Sequence, residues 1–373
     1  MSSEENKNVA ANSIIYAVAG FIMSSTLLSA FVLNISLQDT WVVVIIGAGL
    51  SALVVLGYAW LSNKFPGKTI IEINSIVFGN IIGKVVSVLY LLFFLLIAAL
   101  NLRDTSGFIT GYIMTQTPPY IISALFMLVC ALAVRKGIRI ILRYGFMFVV
   151  IALSVTLLNF ILLYNLIEFD NFLPVFSQPL ISYVQGAHII TTVPITETVA
   201  FLMIVSNVSN RENLKKSMLL GLAIGCFSLL VSMLVHIGVL GQMSTLMALP
   251  SFELIRLINI GYIITRLDIL YAFVLLLLQF FKISILHFAL TRGIGELFGL
   301  NSFRPIVFVV GSIITSISIS LFGSAVENFE WGTSVAPMFN TAISVLLPFI
   351  TIIIAKLRMP NKKKAGNQEV KSA

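Results

Sequence analysis

Charge is the scarcest ingredient of this sequence. Only 10% of its 373 residues are Asp, Glu, Lys or Arg, whereas 58% are hydrophobic; a soluble chain would carry roughly a quarter charged residues. That shortage excludes a soluble enzyme. Cysteine is almost missing as well. Cys130 and Cys226 are the two present, and both lie inside apolar runs where a thiol packs as a small hydrophobe, which excludes a secreted disulfide scaffold and an activated thiol. The three histidines, His188, His236 and His287, stand apart, with no two at metal-ligand spacing. No P-loop, nucleophile elbow, HExxH or dinucleotide fingerprint occurs. No catalysed reaction, cofactor or metal is therefore expected. The leading MSSEENKN also lacks a basic segment ahead of the first apolar run, which argues against a cleaved signal peptide.

What the sequence has in abundance is uncharged runs long enough to cross a bilayer as helices, about 20 residues each. Ten can be marked: Ser13 to Leu33, Trp41 to Leu61, Val85 to Leu102, Tyr120 to Val134, Tyr144 to Ile167, Tyr183 to Val205, Ser217 to Leu240, Ile269 to Phe288, Ile306 to Phe322, and Val335 to Ala355. The predicted fold class is an all-α polytopic membrane protein with ten transmembrane helices. Residues 1–12 form an N-terminal segment, 13–358 the membrane domain and 359–373 a basic polar tail.

Orientation follows from the basic residues between runs. Of the 23 lysines and arginines, only Arg103, Arg256 and Arg266 fall on one side, and Lys282 lies inside a run. The rest collect on the other side, so both termini are expected in the cytoplasm. The net charge of +8 then reports topology and contact with anionic membrane lipid, with no nucleic-acid partner implied. Two connections are expected to hold short helices. Thr69 to Phe78 suits one lying along the inner membrane surface, and Phe252 to Ile258 an interfacial amphipathic one, either a lid or a segment resting on the bundle.

Ionisable groups within membrane spans cost about 2.5 to 3.5 kcal/mol each on insertion scales, so they mark function by default. The runs contain two, Glu197 and Lys282. They fall at similar depth in the sixth and eighth spans and could pair, either as a lock on helix register or as the wall of a binding cavity. Glu197 sits in TTVPITETV. Pro194 removes a helix hydrogen bond, and Thr192, Thr196 and Thr198 can satisfy the freed backbone, a pattern that suits a discontinuous helix around a polar ligand site. The first span has a matching interruption at Gly20 and the run Ser24, Ser25, Thr26. Interruptions at corresponding places in two sets of five spans point to an inverted five-plus-five repeat, about 13–167 and 183–356, with discontinuous helices 1 and 6. Helix N-termini there would present amide donors to an anionic group. Small residues for close packing are the competing account of the first span. Arg103 and Asp104, directly after the third run, are a candidate pair at the outer rim.

At these residues the sequence resembles the spore germination receptor B-subunit family, a branch of the amino acid-polyamine-organocation transporter superfamily. The resemblance spans nearly the whole chain and is carried by FDNFLPV (Phe169 to Val175), by the Pro-x-x-Glu of Pro194 to Glu197, and by RLDILYAFVLLLLQFFKISILHF (Arg266 to Phe288). It implies a nutrient-sensing subunit in the inner membrane of a spore, working with A and C subunits and binding a small amino acid or similar nutrient among spans one, three, six and eight. It also implies that the Lys282 ammonium stands where sodium-coupled relatives hold a cation. The competing function is a proton- or sodium-coupled amino acid transporter of the same fold.

Overall fold

The structure, a computed structural model, describes residues 9–25, 29–208, 211–247, 249–257 and 267–358. Among these there is no β-strand, only an isolated bridge between Val9 and Val208. The first half contains α1 (Ala11–Met23), α2 (Ser29–Ser36), α3 (Thr40–Lys64), α4 (Ile70–Phe78), α5 (Asn80–Phe108), α6 (Pro119–Lys136) and α7 (Ile138–Leu163). The second contains α8 (Leu180–Ile190), which continues as π- and 3-10-helix to Met203, then α9 (Leu214–Leu240), α10 (Pro250–Arg256), α11 (Leu267–Leu297), α12 (Val307–Ser320), α13 (Ala325–Glu330), α14 (Ala336–Asn340) and α15 (Leu347–Arg358).

Among the described residues, eight helical stretches are long and apolar enough to cross a bilayer, and two shorter apolar ones, Ala11–Met23 and Arg304–Ser320, accompany them. The architecture is the all-helical membrane bundle expected, interrupted at corresponding places in its two halves, and its first span is discontinuous as predicted, with α1 and α2 as separate helices. α1 stops at Met23 and the helix resumes as α2; at Leu37, with a φ of +46°, the chain turns back into α3, so that Val32 of α2 and Gly47 of α3 both sit beside Ile190. The physical reason for the break lies at Ser24, whose hydroxyl donates to the Phe21 carbonyl at 2.6 Å. A serine that bonds its own turn competes with the helical ladder, and Ser24 and Ser25 adopt 3-10 geometry.

Burial sorts the helices into an inner and an outer set. The most apolar stretch of Leu180–Met203 is 94% buried, against 28% for Ile138–Leu166, which puts the sixth span at the centre and α7 at the lipid face. Leu53 on α3 and Ile161 on α7 are 67% and 66% exposed, apolar faces that only a hydrocarbon solvent covers without penalty. α1 crosses α9 at close range. A Cβ on Gly221 would lie 2.5 Å from the Ile15 carbonyl oxygen, and one on Gly225 2.8 Å from Ile22 Cβ, so the small-xxx-small spacing of α9 is what admits α1 to the centre.

The two short connecting helices form. α4 starts with a capping box in which Thr69 and Glu72 exchange side-chain and backbone bonds. It is more than a surface helix, since Ile70, Ile73 and Val77 are fully buried where it packs on α5, α11 and α15. α10 rests on the bundle, with Phe252 edge-on to Phe108 at 5.3 Å and to Tyr112 at 5.1 Å. Ile258 of the expected amphipathic segment lies outside the described residues.

The described ends of the chain meet at one end of the bundle. The Val9 amide donates to the Asn207 carbonyl (3.2 Å), Arg211 to the Ser62 carbonyl (3.2 Å) and Arg358 to the Val77 carbonyl (2.8 Å). At the same end Arg292 donates to the Met203 carbonyl and to Glu296, both at 2.8 Å, and the Thr69 hydroxyl donates to the other oxygen of Glu296. Lys68 pairs with Glu72 at 2.8 Å, which raises the Lys68 ammonium above its ordinary value.

Candidate functional site

Pro194 sets the geometry of the centre. It has no amide hydrogen, so the α-helical pattern of α8 cannot pass through it, and Thr191–Ile195 form a π-turn followed by 3-10 helix over Thr196–Met203. The Thr196 amide bonds back to the Thr191 carbonyl. That leaves the Thr192 carbonyl to side chains, and two supply it: the Thr196 hydroxyl at 3.1 Å and the Asn340 amide at 3.0 Å. Thr192 and Thr198 donate to the carbonyls of His188 (2.7 Å) and Ile195 (2.6 Å). The chain therefore remains helical through the interruption but changes pitch, as π-turns at functional sites do.

The change of pitch directs Glu197 to Lys282. Glu197 Oε2 is 2.7 Å from Lys282 Nζ, with the side chains 3% and 0% exposed. Lys282 also donates to Ser25 Oγ at 2.8 Å, and its ammonium lies 5.0 Å from the centre of the Phe21 ring. The ammonium therefore lies against a carboxylate, a hydroxyl and an aromatic face. One side chain of α11 thus clasps both interrupted helices. Gln279, about a turn earlier on α11, donates to the Ser24 carbonyl at 3.1 Å, which takes up a backbone acceptor next to the first break.

Of the residues singled out in the sequence, Ser24, Ser25, Thr192, Thr196, Glu197 and Lys282 converge around this pair, and Pro194 shapes it from behind. Gly20 lies elsewhere: inside α1, where an added Cβ would be 3.2 Å from Val149 and 3.3 Å from Phe281, a packing position. Thr198 bonds within its own turn. Thr26 lies outside the described residues. Arg103 and Asp104 are on α5, at the end of the bundle opposite the chain termini. Arg103 donates to the Phe322 carbonyl (3.0 Å) and Asp104 accepts from Asn328 (2.7 Å).

Sequence reasoning missed the last span. Asn340 bonds the Thr192 carbonyl and reaches Glu197 Oε1 at 3.5 Å, and Ser344 accepts from or donates to Thr196 at 2.7 Å. The Tyr58 hydroxyl meets the carbonyls of both Thr196 and Ser344. A signal existed for the first two: polar residues four apart, on one helix face, flanked by Pro337 and Pro348 in an apolar run. Tyr58 carried none.

A cavity of about 10 Å³ touches Ser25 and Pro194, and one of about 50 Å³ lies beyond Ser24 among Thr156, Asn159, Ser232, His236 and Tyr271. A larger cavity, about 620 Å³, opens beside Arg103 and Asp104. Among the described residues no group of three or more His, Cys, Asp or Glu could hold a metal ion. Among the described residues, the chemistry at the centre is charge neutralisation between a carboxylate and an ammonium.

Comparison with solved structures shows the same fold in transporters. The chain matches Mhp1, a nucleobase-cation-symport-1 family transporter, with a TM-score of 0.65 at 12% identity, covering 95% of this chain and 79% of that one. It matches a Na+-coupled sialic acid symporter with a TM-score of 0.60 at 12% identity, covering 95% and 85%. The apolar helices and this fold make the chain an integral membrane protein. In sequence it is 27% identical to spore germination protein KB of Bacillus subtilis (strain 168) over 90% of this chain and 91% of that protein. It is 23% identical to spore germination protein B2 of the same organism, over 94% and 96%. The family profile described as spore germination protein matches residues 8–325, and the chain belongs to that family.

Proposed function

We propose that this chain is the nutrient-sensing B subunit of a spore germinant receptor, resident in the inner spore membrane with both termini in the cytoplasm. It binds a small amino acid or similar nutrient and signals to A and C subunits. The observation that carries the reading is the Glu197–Lys282 ion pair, 2.7 Å apart and shared by both interrupted helices through Ser25. A pair of this kind holds one arrangement of the bundle, and any ligand that binds more tightly to an arrangement in which the pair has parted shifts the balance between the two. The shift is limited to that difference in affinity. Family membership supports the germination role. In spores, Lys282→Met and Glu197→Gln should each change the nutrient concentration that triggers germination while the subunit is still present in the membrane. Unchanged responses from both would refute a sensing role for the pair.

The second reading is a proton- or sodium-coupled amino acid transporter. The shared fold favours it, because Mhp1 and the sialic acid symporter are transporters by name. The fixed Lys282 ammonium weighs against sodium coupling, since it already places a positive charge against the first break. Uptake of labelled amino acid by the isolated chain in proteoliposomes would favour the transporter. Loss of nutrient-triggered germination with no uptake supports the receptor.

A further inference from the structure

Positive charge gathers without an answer at the corner between α6 and α7. No Asp or Glu occurs between Asp104 and Glu168, yet Arg135, Lys136, Arg139 and Arg143 fall within nine residues of that stretch. Only Gly137 separates the two helices, and its φ of +102°, which an L side chain rarely adopts, folds the chain back so that the two helix ends stay together. The corner lies at the chain-termini end of the bundle. There the Arg135 guanidinium sits 5.4 Å from the centre of the Phe308 ring at the start of α12, and α12 follows the end of α11 that carries Arg292 and Glu296. All four basic residues are exposed. Other cations at this end are committed, Arg211 and Arg358 to carbonyls and Lys68 and Arg292 to carboxylates, whereas Arg135, Lys136 and Arg143 join no ion pair among the described residues.

On each helix the charge heads an apolar stripe. Counting back from Lys136 on α6 by four, seven and eleven gives Leu132, Val129 and Leu125; counting on from Arg139 on α7 by seven, eight and eleven gives Phe146, Met147 and Val150, with Arg143 on the way. These spacings put each set on one helix face, and all six apolar side chains are exposed. We infer that the corner is a docking site for one phospholipid of the cardiolipin type, whose headgroup carries two phosphates, in the leaflet at the chain-termini end. One phosphate docks on Arg135 and Lys136 and the other on Arg139 and Arg143, which stand one helical turn apart and reach a shared group. The acyl chains lie along the two stripes. A soluble anion would leave the stripes unused, a zwitterionic lipid would bring its own cation against the arginines, and a lipid with one phosphate would leave one helix end unanswered. Basic clusters at the inner ends of membrane helices recognise such headgroups. The inference goes beyond the receptor reading and needs only the geometry of this corner.

The test uses the full chain purified in detergent and native mass spectrometry. The probes are tetraoleoyl cardiolipin, dioleoyl phosphatidylglycerol and dioleoyl phosphatidylcholine, with inorganic phosphate as the soluble anion. One cardiolipin should be retained per chain, about tenfold more tightly than phosphatidylglycerol, and phosphatidylcholine should not compete. Each basic residue at a membrane surface contributes about fivefold in affinity, so Lys136→Gln should weaken cardiolipin about fivefold and the double variant Arg139→Gln with Arg143→Gln about twenty-five-fold. Arg139→Lys with Arg143→Lys should keep most of the affinity. These residues are exposed, so the lipid-free variants should melt at the parent's temperature. Lys215→Gln with Lys216→Gln removes the same charge from the start of α9, also exposed, and should bind as the parent does. The inference falls if phosphatidylglycerol binds as tightly as cardiolipin, if inorganic phosphate displaces the lipid, or if the α7 and α9 double variants lose affinity equally, the mark of attraction to bulk charge alone. Should cardiolipin dock as expected while deletion of the gene leaves nutrient-triggered germination intact, the lipid site stands and the receptor reading fails.

Discussion

Replacing Lys282 with Met removes the cation and keeps most of the side-chain volume, which isolates the electrostatic contribution of the central pair. At 2.7 Å and an effective dielectric of about 20, the attraction between the charges is about 6 kcal/mol. Desolvation of both groups offsets much of it, and removal of one partner from a buried pair typically costs about 3 to 5 kcal/mol, because the other charge is left uncompensated. Loss of the bond to Ser25 belongs within that figure, at about 1 kcal/mol. Lys282→Met is therefore expected to destabilise by about 3 to 5 kcal/mol. Glu197→Gln should cost less, about 3 kcal/mol, because the ammonium retains Ser25 and the Phe21 ring. The double variant buries no unpaired charge and should lose about 2 to 4 kcal/mol less than the sum of the single losses. Steric trapping in bicelles of fixed composition measures all four corners of the cycle. A coupling below about 0.5 kcal/mol, the level at which distant sites add, would refute the claim that these two side chains bond to each other and that this bond holds the interrupted helices.

Asn340→Ala should cost about 1 to 3 kcal/mol, the penalty for depriving buried polar groups of a partner, since the Thr192 carbonyl and Glu197 both lose its amide; a melting shift equal to that of Asn159→Ala would contradict the role. Gly221→Leu drives a side chain into the Ile15 carbonyl and should prevent recovery of a monodisperse protein, whereas Gly49→Leu, with nothing within 4 Å of its Cβ, should be recovered like the parent. Cys130 and Cys226 are 0% and 7% exposed, so the folded parent should resist maleimide. On that silent background Lys136→Cys and Lys216→Cys should label from the cytoplasmic face and Thr115→Cys from the other; labelling of all three from one face would overturn the assigned topology.

The bundle was readable because its solvent is lipid. Runs such as Trp41 to Leu61 announce themselves by the absence of charge, and the two charges that break the rule, Glu197 and Lys282, were brought together as their similar depths predicted. The place of the first break was legible at Ser24 and Ser25, whose hydroxyls have no other reason to sit in an apolar run. The tight reversal from α2 into α3 was less legible: Leu37 takes a φ of +46° there, and no proline or glycine marks the turn at Leu37 to Asp39. Gly20 misled for a related reason, because a glycine admitting Val149 and Phe281 looks, in sequence, like one that loosens a helix. Asn340 was overlooked because amides are milder intruders than charges, and its value appears only when Pro194 has left a carbonyl to be claimed from another part of the chain. Arg103 and Asp104 could be placed at a rim from the sequence, but the empty volume beside them is a property of how α2, α5 and α13 splay, which periodicity does not encode.

The contact of Arg292 with Met203 has a further consequence. Met203 ends the 3-10 segment that begins just before Glu197, and the same guanidinium grips Glu296, which in turn receives the hydroxyl that caps α4. A rotation of that segment strains a short chain of three polar links whose last member is the first turn of a helix at the chain-termini end. Any such rotation would therefore pull on residues 68 to 72, where Lys68 and Glu72 form an exposed pair.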